Sequence, residues 1–171
     1  HNQQNVSFKQ LTVTNMSEDG DELGDGIHLS NGTIELMDVG IKNCRRYGLF
    51  VNSVKPMYTK TSFVEATRCI FANCFTGVNT QYTTNELFSL INSKFNNCLF
   101  HDNQFGIYGR NSTIHLHGDA TAIHSSSQIG ISAACSGNII IHLPSTHWTC
   151  YDNKYANRYS DDDATITNVV D

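Results

Sequence analysis

Two stretches decide the fold: Gly26-Ile27-His28-Leu29-Ser30-Asn31-Gly32-Thr33-Ile34-Glu35-Leu36, and Gly106-Ile107-Tyr108-Gly109-Arg110-Asn111-Ser112-Thr113-Ile114-His115-Leu116. They share the frame G-I-x-x-x-N-x-T-I-x-L. In both, Ile and Leu alternate with polar neighbours at the C-terminal end, the period-two signature of a strand that buries one face. The Asn before that strand marks a turn, because Asn tolerates the left-handed backbone that a tight corner requires.

Working outward, the pair of Gly and a branched aliphatic recurs at Gly26-Ile27, Gly48-Leu49, Gly77-Val78, Gly106-Ile107 and Gly130-Ile131, at intervals of 22, 29, 29 and 24 residues. Eight residues before each of the last four glycines stands a small residue followed by Ile or Leu: Gly40-Ile41, Cys69-Ile70, Cys98-Leu99 and Ala122-Ile123. Strands of about three to five residues cannot bury a face alone. Stacked coil on coil at about 4.8 Å, they pair every backbone with its neighbour and enclose one apolar column. The pattern therefore predicts an all-β chain, a right-handed parallel β-helix (solenoid) of roughly six rungs. Ile41, Ile70, Leu99 and Ile123 are expected to form one vertical aliphatic ladder, with Asn31 and Asn111 in equivalent turns. A leucine-rich repeat would need several leucines per repeat and helical backs, which this text lacks. A β-sandwich would not explain similar text at rung-sized intervals.

Composition agrees. The 171 residues are 39% apolar and only 16% charged, with two prolines, Pro56 and Pro144. Helical proteins draw on Ala, Leu, Glu, Lys and Arg for their exposed faces; this chain is rich in Asn, Ser, Thr and Gly instead. A net charge of −5 without a basic stripe argues against a nucleic-acid partner. Apolar runs such as Cys69-Ile70-Phe71-Ala72 and Ile139-Ile140-Ile141 are far short of a membrane helix, so no membrane insertion is expected. The chain reads as one domain over residues 1–171, with about 151–171 as a C-terminal cap or tail. Its opening, His1-Asn2-Gln3-Gln4, suggests a segment of a longer protein.

The six cysteines follow the repeat: Cys69 and Cys98 share a slot, Cys135 takes the slot of Asn31 and Asn111, and Cys44, Cys74 and Cys98 each follow an Asn. Cysteines in repeat register read as small buried residues rather than a disulfide framework. Their spacing does not suit zinc, which wants two close pairs. The sequons at Asn5, Asn15, Asn31 and Asn111 are about as many as chance supplies in such a chain.

The run Ile91-Asn92-Ser93-Lys94-Phe95-Asn96-Asn97-Cys98-Leu99-Phe100, followed by Gly106-Ile107-Tyr108, resembles the N-x-x-F-x-N-C-x-F…G-I rungs of the right-handed β-helix repeat proteins in the pectin-lyase-like superfamily. The resemblance extends from about Val6 to Asn153. The segment from His115-Leu116-His117-Gly118 to Ile141-His142-Leu143-Pro144 is also similar to β-helix proteins of algae, other protists and large DNA viruses. This resemblance implies the fold. For function it implies either a non-catalytic part of a fibre, adhesin or scaffold, or an enzyme acting on polysaccharide in a groove along the sheets.

Three groups of residues are candidates for chemistry. Asp25, in the acidic run Asp19, Asp21, Glu22, Asp25, stands in a D-G-I segment that resembles one motif of polygalacturonases; their paired-Asp, G-H-G and R-I-K segments are absent at the following rungs. The acidic run also lacks calcium-loop spacing. His115 and His117 point away from Ile114 and Leu116, His142 aligns with His115, and His124 is outward by the same parity. Such imidazoles could take a metal or a sugar acid, although outward polar residues are also what solvent demands. Asp161-Asp162-Asp163 reads as a solvated charge run. Tyr108, Trp148, Tyr151 and Tyr155 could stack on sugar rings or cover the open end of the solenoid.

The catalytic candidates are therefore Asp25 and His115, and the binding candidates His115, His117, His142 and Tyr108. No residue is assigned as a metal ligand, and no cofactor is expected. The favoured function is a non-catalytic structural or binding module of a surface, virion or scaffold protein, contacting carbohydrate or protein and able to oligomerise. The alternative is a polysaccharide lyase or epimerase, ahead of a hydrolase. A cation beside a carboxylate on neighbouring rungs, drawn from Arg45, Arg46, Arg68 and Arg110, would mark that enzyme.

Overall fold

A computed structural model describes residues 5–15, 24–53, 62–82, 91–144, 146–161 and 163–169. Among them every regular element is a strand, and the strands come in threes. The first coil is β1 (Asn5–Lys9), β2 (Thr12–Thr14) and β3 (Ile27–Ser30); the second is β4 (Thr33–Met37), β5 (Gly40–Lys42) and β6 (Tyr47–Ser53). The third is β7 (Ser62–Thr67), β8 (Ile70–Ala72) and β9 (Thr76–Tyr82); the fourth is β10 (Ile91–Asn96), β11 (Leu99–His101) and β12 (Phe105–Arg110). The fifth is β13 (Thr113–His117), β14 (Ala122–His124) and β15 (Ile129–Ala134); the sixth is β16 (Asn138–Ile141), β17 (Cys150–Tyr151) and β18 (Ala156–Ser160). A last strand, β19 (Thr165–Asn168), opens another coil.

Like strands of successive coils pair in parallel, giving sheet A (β1-β4-β7-β10-β13-β16-β19), sheet B (β2-β5-β8-β11-β14-β17) and sheet C (β3-β6-β9-β12-β15-β18). This is the parallel β-helix predicted from the repeat. The stretch expected as a cap or tail is itself wound into the helix through β18 and β19. No helix among the described residues is long and apolar enough to cross a membrane.

One core threads the coils, and its files correct the expected ladder. The inward file of sheet B is Val13, Ile41, Phe71, Phe100, Ile123 and Cys150. Ile70 and Leu99 instead stand beside Gly40 and Ala122 on the outer side, half-buried. The cause is the length of one corner. Four residues join β5 to β6 and β14 to β15, but three join β8 to β9 and β11 to β12. Counting back from the glycines therefore slips by one residue in the third and fourth coils.

The corners are built as the Asn content predicts. Among the described residues thirteen other than glycine have positive φ, including Asn31, Asp38, Asn43, Asn73, Asn97, Asp102, Asn111 and Asp152. Asn and Asp reach this conformation at least strain because their short side chains bond locally to backbone. Cys135 takes φ 48°, in the slot beside Asn111 at 47°. After Asn43, Asn73 and Asn97 the chain turns inward, which buries Cys44, Cys74 and Cys98; all six cysteines are free thiols.

The recurring glycine has a different cause, close approach. A Cβ on Gly48 would meet the Gly77 carbonyl oxygen at 2.5 Å, one on Gly77 the Gly106 oxygen at 2.7 Å, and one on Gly106 the Gly130 oxygen at 2.5 Å. Each coil leans on the next through a bare backbone.

Candidate functional site

The outer face of sheet A gathers three histidines. His115 and His117 alternate with the fully buried Ile114 and Leu116 of β13, so both face outward. His142 follows β16 directly. Ile141 pairs with Leu116, and the His142 N–H donates to the Leu116 carbonyl at 2.8 Å. His142 therefore stands over His117, and the backbone partner of His115 is Ile140, which corrects the alignment of His142 with His115.

The side chains nonetheless converge. The rings of His117 and His142 lie 3.9 Å apart between centroids and within 11° of parallel, and His115 Nδ1 lies 2.9 Å from His142 Nε2. One ring nitrogen from each histidine falls within 4.8 Å of the others, and all three residues are half-buried. Burial pushes the His115 pKa down, helped by His142 and by Lys94 on the preceding coil. Lys94 itself reaches toward Glu65 at 3.9 Å. The His117 carbonyl accepts from Asn97 N–H at 2.9 Å and from the hydroxyl of the buried Thr121, which pins the backbone under the cluster.

A second outward file runs along sheet B: His101, His124 and Tyr151 are direct cross-coil partners. Ring centroids are 5.7 Å apart for His101 and His124 and 5.1 Å for His124 and Tyr151, with planes within 14° and 18° of parallel. Trp148, 77% exposed, extends the file at 6.2 Å from Tyr151. Two rings are held by the left-handed corner: His101 Nδ1 lies 2.6 Å from the Asp102 carboxylate, and His124 Nδ1 lies 2.9 Å from the Ser125 hydroxyl. Sequence reasoning missed this file. Its count back from the glycines set His101 opposite Ser125, and only the corner lengths reveal the pairing with His124.

The catalytic candidates are not brought together. Asp25 precedes β3 at the first coil of sheet C, whereas His115 lies on sheet A in the fifth coil. Burial raises the Asp25 pKa against the pull of Arg46, His28 and the Tyr47 backbone, and its Oδ1 is buried with no hydrogen-bond partner among the described residues. The Arg46 guanidinium sits 4.5 Å from the Tyr47 ring centre. Tyr108 stands on sheet C between Asn79 and Ser132, away from the histidines, its phenol pKa raised by burial.

Asp19, Asp21 and Glu22 lie outside the described residues. Arg68 does stand beside a carboxylate of a neighbouring coil, but its two nitrogens are taken up bidentately by Asp38 at 2.7 Å each, in the open. The expected charge run is not simply solvated either: both Asp161 carboxylate oxygens accept from Cys135 N–H, at 3.1 and 3.0 Å. Asp162 lies outside the described residues.

Compared with known proteins, the chain matches no protein-family model, no curated protein and no solved structure.

Proposed function

We propose that this protein is a non-catalytic β-helical module that binds polysaccharide along the outer face of sheet B. One observation carries the reading: His101, His124 and Tyr151 line up rings over successive coils, and Trp148, 77% exposed, stands beside Tyr151 in the same coil. An exposed indole is poorly placed for solvent alone. Aromatic rings offer an apolar surface to the C–H face of a sugar, and their polar edges can bond its hydroxyls. Parallel strands fix the rings of His101, His124 and Tyr151 at the coil spacing, so that surface is extended and suited to a polymer rather than a single sugar.

The test is calorimetric titration of the chain with neutral and acidic polysaccharides. Binding should weaken at least tenfold in Trp148→Ala and Tyr151→Ala and persist in Tyr159→Ala, whose exposed ring belongs to sheet C. Failure of every polymer to bind, or equal binding by all three variants, sinks the reading.

A second reading, a polysaccharide lyase or epimerase, is favoured by the surroundings of Asp25. A carboxyl with a raised pKa beside Arg46 and His28 has the ingredients of a base and a charge-stabilising cation. Incubation with alginate and pectin tests it, with unsaturated-sugar absorbance reporting a lyase and exchange of the sugar C5 proton in deuterated water reporting an epimerase. Turnover abolished in Asp25→Asn would replace the binding reading.

A further inference from the structure

We propose that His115, His117 and His142 bind one divalent transition-metal ion of the zinc class, through three imidazole nitrogens and with an open position toward solvent. This site is on sheet A and does not depend on the polysaccharide reading for sheet B.

Geometry is the first argument. Zinc–imidazole bonds of about 2.0–2.1 Å in a tetrahedral site place ligand nitrogens about 3.3 Å apart. His115 Nδ1 and His142 Nε2 are already 2.9 Å apart, and the whole set lies within 4.8 Å. Side-chain rotation alone can close the remainder. The three Cα positions need not move: His115 and His117 project from one face of β13, and His142 comes from the next coil, about 4.8 Å away.

The second argument is preorganisation. Ile114, Leu116, Ile139 and Ile141, all fully buried, lock the register beneath the three rings. A site on strands held this way is more exact than one on loops. The ligand chemistry is equally selective. Imidazole suits zinc, copper and nickel, whereas calcium and magnesium prefer oxygen ligands. Three histidines plus an open position is a recognised zinc arrangement.

The third argument concerns tautomers, since metal binds the neutral imidazole. Coordination by both His115 Nδ1 and His142 Nε2 requires the hydrogen they share to appear on the other nitrogen of its ring. That is a change of tautomer without net proton release while the rings are neutral.

The experiment is calorimetric titration of the full chain with zinc chloride, joined to the absorption spectrum of the cobalt(II)-loaded chain. Expected are one ion per chain, affinity at least about tenfold lower in each of His115→Ala, His117→Ala and His142→Ala, and no change in His124→Ala. The cobalt spectrum should show d–d bands without thiolate charge transfer, which tests the site with no substitution at all. Absence of saturable binding overturns the proposal. So do unchanged affinity in the three variants and thiolate bands that place the ion on cysteine.

Discussion

The rings of Phe71 and Phe100 lie face to face across neighbouring coils, 4.9 Å between centroids and 7° between planes, and both meet Phe95 nearly edge-on, at 82° and 75°. All three are fully buried. Stacked and edge-to-face contacts are the favourable arrangements for ring quadrupoles, so the trio joins sheets A and B by shape as well as area.

Truncating either stacked ring should leave a cavity that short, hydrogen-bonded coils cannot close. Phe71→Ala and Phe100→Ala should each destabilise by about 3–5 kcal/mol in denaturant unfolding. Leu99→Ala, one residue before Phe100 but on the outer side, should cost no more than about 1 kcal/mol. Equal effects at positions 99 and 100 would contradict the register.

The glycine file makes a sharper contrast. A methyl on Gly77 would meet the Gly106 carbonyl at 2.7 Å, and that backbone is held by the ladder. Gly77→Ala should destabilise by about 1–3 kcal/mol, as overpacking does. In Gly40→Ala the nearest atom is the flexible end of Lys42 at 3.3 Å, so the melting temperature should hold or rise.

Arg68 holds the Asp38 carboxyl below the usual carboxylate range through their hydrogen-bonded pair. For an acid with a lowered folded pKa, the stabilisation is complete above the ordinary value of about 3.9 and is lost as pH falls through the folded value. Asp38→Asn, a residue that tolerates the left-handed φ of 55° here, should lower the melting temperature at neutral pH. At a pH below both values the difference should vanish. It should also shrink in high salt, since the pair is exposed. A pH-independent difference would assign the effect to the corner rather than the charge.

Thiol reactivity reports on the helix as a whole. Cys44, Cys69, Cys74 and Cys98 are buried. Burial pushes the half-buried Cys150 up to about 12, which keeps it protonated. Ellman's reagent should therefore find one prompt thiol, Cys135, and all six after denaturation. Cys69 is shielded by burial even though its hydrogen bond with Cys98 lowers the pKa of its thiol. Prompt reaction of four or more thiols, or fewer than six after denaturation without reductant, would contradict this arrangement.

Of the candidate sites, the outward direction of His115 and His117 was legible because strand parity is a local rule: a residue between two buried aliphatics points the other way. His142 was legible as outward but was matched to the wrong partner. The ring file on sheet B was not legible, since His101, His124 and Tyr151 meet only across coils. Asp25 offered an acidic motif with His28 three residues on, yet the nearness of Arg46 and the Tyr47 backbone comes from the second coil folding against the first.

What the sequence by itself determined is the coil: alternating aliphatics, Asn at left-handed corners and Gly where backbones touch are each short-range requirements, and their repetition is enough to specify parallel stacking. What only the tertiary structure decided is which residue stands over which. Corners of three or four residues satisfy the same local rules, but one extra residue shifts every partner on the next sheet by a position. That shift put phenylalanines rather than Ile70 and Leu99 into the core and His124 over His101. On the neighbouring sheet, only the pairing of coils placed His142 over His117.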